Sequence, residues 1–233
     1  TSYLAEDAGC VVAVEIDKRL VQVLHDLLIG YRNVHIINAD ILRLDLKKEL
    51  APFMTSPDGT PRSLKVVANL PYYITTPVIM KLLEDGLEAE CMVIMVQKEV
   101  AARMMAKPGG KDYGALSVSV GYYSRPTAIM DVPPDCFTPR PGVDSTVVRL
   151  DLYKTPPVEL KDRDLFFKVV KAAFGQRRKT LLNALSNAGY IGISKDQVRS
   201  LLEKVGIEEM QRGETLSIQQ FARLTNEIFD LLH

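Results

Sequence analysis

Four consecutive residues, Asn69-Leu70-Pro71-Tyr72, combine an amide side chain, a rigid proline and an aromatic ring. Recognition of an exocyclic amino group on a flat base needs such a set. The Asn69 carbonyl can accept one amino hydrogen, a backbone carbonyl held outward by Pro71 can accept the other, and Tyr72 can stack on the ring. The plainer reading is a strand-ending turn, since Asn and Pro are ordinary turn residues. Phe137 is a second aromatic candidate. Pro133, Pro134, Pro139 and Pro141 stiffen its loop, which would hold the ring in a fixed place. It could stack on a base there, or plug the core beneath the loop.

The flanking sequence indicates what positions these groups. Leu64 to Ala68 is an apolar run leading into Asn69. Thr75-Thr76-Pro77 and a helical pattern follow, with Thr76 read as N-cap and Pro77 as first helical residue. The turn therefore lies at the carboxyl end of a strand, where open α/β sheets bind ligands. Earlier in the chain, Thr1 to Ala8 reads as a helix stopped by Gly9. Cys10 to Ile16 reads as a buried parallel strand. Asp17 caps a helix whose apolar face is Leu20, Val23, Leu24, Leu27 and Leu28. The segment 35–40 is another strand, ending in Asp40. An acid at the end of each of two such strands fits a nucleotide site, one on ribose hydroxyls and one on the base. Glu15 and Asp40 could equally cap the turns that follow. Residues 51–63 are a proline-rich loop, Cys91 to Val96 a strand, Gln97 to Met105 a helix, and Leu116 to Tyr123 fits strand or helix. Thr127 to Val132 and Ser145 to Leu152 are the last strands.

After Thr155-Pro156-Pro157 only helices are expected, at about 162–174, 180–188, 195–205 and 218–231. Ser194 with Gln197 and Ser217 with Gln220 match capping boxes. Between Lys168 and Arg199 seven basic residues face one acid, and Arg177-Arg178-Lys179 is the centre of that cluster. It suits phosphate contacts or a solvated helix face. Lys107 and Lys111 lie in a flexible basic loop, and Arg140 in the Phe137 loop.

The chain has 233 residues, enough for one large domain or a medium and a small one. Its 47% apolar and 25% charged residues are ordinary for a soluble globular protein. The formal charge is zero, so a nucleic-acid partner must be read from local clusters. No apolar run approaches the roughly 20 residues that span a bilayer. Cys10, Cys91 and Cys136 are scattered, without zinc spacing or a redox pair. A cytoplasmic protein with no metal is expected.

Together these pieces resemble the ribosomal RNA adenine dimethyltransferase family, over essentially the whole chain. The carrying residues are Val14-Glu15-Ile16-Asp17, Ala39-Asp40-Ile41-Leu42, Asn69 to Pro77, Phe137 to Ser145 and Phe174 to Leu181. The resemblance implies an α/β fold: a Rossmann-like S-adenosylmethionine (SAM) methyltransferase domain over 1–155, then a small all-helical rRNA-binding domain over 156–233. It implies that Glu15 holds the SAM ribose and Asp40 reads its adenine, with Ile16 and Ile41 packing on that ring and Asn69 beside the cofactor. Asn69, Leu70 and Pro71 would bind the target amino group, while Tyr72 and Phe137 would sandwich a base drawn from its stack. Arg140, Lys107, Lys111, Arg177, Arg178 and Lys179 would contact RNA. The partner implied is small-subunit rRNA in an immature subunit, met by a monomer, and the product two dimethylated adjacent adenosines.

One family motif has no counterpart. The first strand and its glycine-rich loop should precede the helix ending near Gly9, and no Gly-x-Gly lies upstream of Glu15. The expectation is a fragment that binds SAM poorly and is inactive alone, its sheet interrupted beside the strands ending at Glu15 and Asn69. Alternatives are the macrolide-resistance branch acting on large-subunit rRNA, a non-catalytic rRNA-binding assembly factor, and a methyltransferase for a small molecule or DNA. The basic helical segment argues against the small molecule.

Overall fold

A computed structural model describes residues 1–233. In chain order the elements are α1 (Ser2–Asp7), β1 (Val11–Glu15), α2 (Lys18–Leu27), β2 (Val34–Asn38), α3 (Leu46–Leu50), β3 (Leu64–Asn69), α4 (Thr75–Glu84), β4 (Ala89–Gln97), α5 (Lys98–Met105), α6 (Ala115–Tyr123), β5 (Ser124–Val132), β6 (Ser145–Leu152), α7 (Arg163–Gly175), α8 (Leu181–Ser186), α9 (Lys195–Lys204) and α10 (Ile218–Leu232). Short 3₁₀ turns cover Ala51–Phe53, Tyr72–Ile74, Pro134–Cys136 and Gly213–Thr215. The chain packs as two compact units, Thr1–Lys65 with Tyr73–Glu90, and Val66–Tyr72 with Cys91–His233.

The strands form two sheets, a pair β1-β2 and a four-stranded sheet in the order β3-β4-β6-β5. β1 and β2 run parallel, Glu15 opposite Asn38, so each of β1 and β3 is an edge of its own sheet. The parallel pair needs a crossover, and α2 supplies it. Asp17 caps α2 as expected, its carboxylate accepting from the Arg19 amide at 2.8 Å. The stripe expected to be core is largely in solvent: Leu20 is 50% exposed and Leu27 70%, while Leu28 is buried. Two strands are too narrow a platform to cover a whole helix face. β1, read as a buried strand, is half-exposed throughout for the same reason.

The second unit holds the large core. β6 lies antiparallel between β4 and β5, with Val148 and Leu150 fully buried. α6 resolves the ambiguous stretch as a helix, buried on nearly every side. A helix surrounded by protein carries no polar stripe, so its period was hidden. Ser117 holds its start, accepting from the Gly114 amide at 3.0 Å and donating to the Arg103 carbonyl at 2.5 Å. Gly121 lets α10 approach, since a Cβ there would sit 2.9 Å from the Ile218 Cδ1.

The four expected C-terminal helices are α7 to α10. Both capping boxes form, Ser194 with Gln197 and Ser217 with Gln220, each with bonds in both directions. The sequence put a domain boundary at 155/156. These helices do follow it, but their core continues into Tyr113, Val118 and Tyr122. They pack in one unit with the four-stranded sheet because α6 presents apolar residues to them as well. A correction concerns α4. Its N-cap is Ile74, without a side-chain bond, and Thr75 is its first residue. Thr76 is therefore not the cap, and Pro77 stands third. Proline is tolerated there because that amide also lacks an intrahelical partner.

Candidate functional site

The end of β3 and the loop before β6 form a cavity of about 310 Å³, lined by Asn69, Leu70, Pro71, Tyr72, Phe137, Pro139 and Pro141. All seven belong to stretches that the sequence singled out by chemistry: the turn after β3 and the proline-framed Phe137 loop. Leu70 adds an apolar side chain. Asn69 is exposed at the last position of its strand, and its amide makes no hydrogen bond within the protein, so it faces the cavity unsaturated. Phe137 is half-buried and outside the core cluster of the helical segment. A 3₁₀ turn, Pro134–Cys136, leads into it, and the Phe137 amide donates to the Pro134 carbonyl at 3.1 Å.

Tyr72 is anchored at its tip. Its hydroxyl lies 2.6 Å from the Ser145 Oγ, and Ser145 is fully buried at the first position of β6. Sequence reasoning placed Ser145 where the Phe137 loop meets the last strand and gave its side chain no role. The available signal was a serine opening an apolar strand, where a buried hydroxyl must find a partner. Nearby, Lys98 pairs with Asp131 at 2.6 Å. Thr146 donates to the same carboxylate at 2.7 Å. Those bonds, the Lys98 contact foremost, hold the Asp131 carboxyl below the usual carboxylate range and raise the Lys98 ammonium.

The two acids at strand ends lie in the other unit, at the same edge of the parallel pair. One Glu15 oxygen accepts from the Asp17 amide at 2.8 Å; the other makes no bond within the protein. Asn38 donates to the carbonyls of Glu15 at 2.8 Å and Ile16 at 3.1 Å, which fixes this corner. Ile16 is 65% exposed, an apolar side chain standing in solvent beside an acid. Asp40 accepts from the Leu42 amide at 2.9 Å and pairs loosely with Arg43 at 3.6 Å, and Ile41 is half-buried. An acid with a spare oxygen beside an uncovered aliphatic residue fits a nucleoside, one group on ribose hydroxyls and one on a ring face.

The basic residues divide. Lys107, Lys111, Arg178 and Lys179 are exposed and without an ion partner. Arg140 pairs with Asp135 at 3.0 Å. Arg177 serves the protein itself: its guanidinium donates to the Lys111 carbonyl at 2.7 Å and reaches the Tyr113 carbonyl and Glu214 at 3.4 and 3.5 Å. A planar fork of donors suits such bridging. The Gly109 amide donates to the Glu214 carbonyl at 2.7 Å, so the basic loop is tied down beside the Arg177 segment.

No three His, Cys, Asp or Glu side chains gather as a metal site would require. No helix is long and apolar enough to cross a membrane.

Comparison with known proteins puts this geometry in context. The family model described as ribosomal RNA adenine dimethylase matches residues 1–230. A ribosomal RNA small subunit methyltransferase A from Alkaliphilus metalliredigens is 50% identical over 228 residues, covering 98% of this chain and 77% of that protein. Its counterpart from Anoxybacillus flavithermus is 48% identical over 234 residues, covering 100% and 78%. Among solved structures, a dimethyladenosine transferase from Plasmodium falciparum superposes with a TM-score of 0.75 at 24% identity, covering 95% of this chain and 82% of that one. The 23S rRNA methyltransferase ErmE gives 0.65 at 24%, covering 98% and 85%. These two likenesses show the fold, a Rossmann-like α/β methyltransferase with added helices. The family match and the relatives go further, and the chain belongs to the ribosomal RNA adenine dimethylase family.

Proposed function

We propose that the protein dimethylates the N6 amino groups of two adjacent adenosines in small-subunit rRNA, with SAM as methyl donor, during assembly of the small ribosomal subunit. The observation that carries this is one cavity lined by Asn69, whose amide is unsaturated, together with Tyr72 and Phe137. It is supported by relatives whose names specify the small subunit.

The exocyclic nitrogen of adenine is a poor nucleophile because its lone pair is conjugated with the ring. The Asn69 carbonyl accepts one amino hydrogen and a main-chain carbonyl of Leu70-Pro71 the other. Two acceptors draw the hydrogens toward tetrahedral geometry and expose the lone pair. Tyr72 and Phe137 hold the flipped base between them. SAM, when bound, supplies an electrophilic methyl group. Glu15 would hold its ribose and Asp40 its adenine, with Ile16 and Ile41 packing on that ring. The residues contribute orientation and electrostatics rather than a tuned base, in keeping with the positions of His25, His35 and His233 outside these motifs. Residues 156–233 form the rRNA-binding part of a monomer working in the cytoplasm. Lys107, Lys111, Arg140, Arg178 and Lys179 meet phosphate, and Arg177 organises the loop that carries two of them.

The test is methyl transfer from labelled SAM to undermethylated small subunits, by the full-length protein and by its Asn69→Ala variant. The expected result is label in two adjacent adenosines, falling by about 10²–10³ in the variant, as for loss of one aligned hydrogen-bonding group in other active sites. Subunit binding without any label would replace the enzyme reading with that of an assembly factor.

A further inference from the structure

We infer that Ser145 is a positioning residue for the base-binding turn, acting through the Tyr72 hydroxyl to fix the position of the stacking ring. The inference deepens the reading above and rests on Tyr72 being a stacking residue.

Tyr72 opens a 3₁₀ turn of three residues, too short to hold a side chain by its own backbone. Ser145 is the opposite case. It is 0% exposed, and its backbone is in register with Gln97 on one side and Val132 on the other. The next residue, Thr146, donates to Asp131, which also takes the Lys98 ammonium. The Lys98 amide in turn donates to the Asp144 carbonyl at 3.0 Å, so the chain on either side of Ser145 is fixed. One bond of 2.6 Å therefore transfers the rigidity of the sheet to the ring lining the cavity. Its placement at the ring's far tip restrains the first side-chain torsion and so fixes where the ring lies, while the bond itself occupies neither ring face. A serine in this buried place adds nothing to the apolar core and requires a partner, and the tyrosine tip is that partner. A preset ring removes an ordering step when the base arrives. The effect therefore belongs to the productive geometry of the bound base rather than to docking of the subunit.

The experiment is a cycle of Ser145→Ala, Tyr72→Phe and the double variant. The readouts are kcat and KM for undermethylated small subunits, thermal melting, and fluorescence of a short single-stranded RNA carrying 2-aminopurine at the target position. The expected result is a kcat lower by about three- to tenfold in each single variant, the size of one hydrogen bond's effect. KM for subunits stays within twofold, 2-aminopurine quenching weakens, and the double variant is no worse than either single one. Tyr72→Phe keeps the ring and leaves the sheet intact, so it decides the matter even if Ser145→Ala melts early. Wild-type kcat and quenching in Tyr72→Phe, or single losses that multiply in the double variant, would overturn the inference. Failure of the wild type to quench 2-aminopurine or transfer methyl would remove the stacking reading itself, and this inference with it.

Discussion

Arg177, Arg178 and Lys179 are adjacent and chemically alike, yet their environments predict different phenotypes. Each cation that neutralises a phosphate adds about 0.7 to 0.9 to the slope of log K against log salt, for single strands and duplex respectively. Arg178 and Lys179 are exposed and have no ion partner. Replacing both with alanine should lower the slope by about 1.4 to 1.8 on that scale, with no change in melting temperature. Arg177 is 52% exposed, but its guanidinium bridges the Lys111 carbonyl, the Tyr113 carbonyl and Glu214. One good bond and two long ones amount to about 1 kcal/mol of stability, discounted for the exposure. Arg177→Ala should melt about 2–4 °C lower in a protein of this size and keep the wild-type slope. Its affinity should fall by a similar factor at every salt concentration, because the loop bearing Lys107 and Lys111 is no longer held. The assay is binding of a small-subunit rRNA fragment from about 50 to 300 mM salt, beside calorimetric melting. An Arg177→Ala protein with an unshifted melt and a slope loss matching that of Arg178→Ala would refute this division.

Phe137→Ala should raise KM for small subunits by about 5- to 150-fold, the range of one base–aromatic stack, without moving the melt; Phe137→Tyr should stay near wild type in the same steady-state assay. Tyr113 is buried and donates to the Leu216 carbonyl at 2.8 Å, and burial pushes its hydroxyl up to about 12. Because the folded value lies above the unfolded one, its contribution is whole below about pH 10 and is lost as pH rises toward 12. Tyr113→Phe should be about 1 kcal/mol less stable at neutral pH and should lose less stability than wild type from pH 10 to 12, read by denaturant titration. Ser194→Ala and Ser217→Ala each remove a cap, and each should cost about 1 kcal/mol by the same titration.

Where local chemistry decides structure, the sequence was legible. Asp17, Ser194 and Ser217 cap the helices they were expected to cap because each bond runs to a residue two or three positions on. The cavity was legible for a related reason: the Asn69 turn ends a strand and prolines frame Phe137, so each half of the site declares itself locally. The misses share a different cause. Whether Leu20 and Leu27 are buried depends on how wide a sheet lies beneath α2. Helix or strand for residues 116–123 depends on how many neighbours surround the segment. The use of Arg177 depends on a loop 66 residues away in sequence. Thr76 is the exception, a local miss in which proline's tolerance throughout the first turn allowed the helix to begin earlier.

Glu15 and Asp40 show why capping and ligand binding were poor alternatives in the first place. A carboxylate offers about four acceptor sites on two oxygens. Glu15 uses one oxygen to receive the Asp17 amide, and that bond aims the other outward beside Ile16. Asp40 does the same with the Leu42 amide and is restrained further only by an exposed pair at 3.6 Å, a contact of little energy that a ligand can displace. The turn thus orients each acid, and the orientation is what a cofactor would use. Glu15→Gln separates the two roles, because the amide keeps an oxygen for the Asp17 amide but loses the charge and one acceptor. SAM affinity, read by calorimetry, should fall about fivefold or more, the effect of a charge-assisted bond to a ribose hydroxyl, while the melt stays unchanged. An unchanged affinity would assign Glu15 to the turn alone.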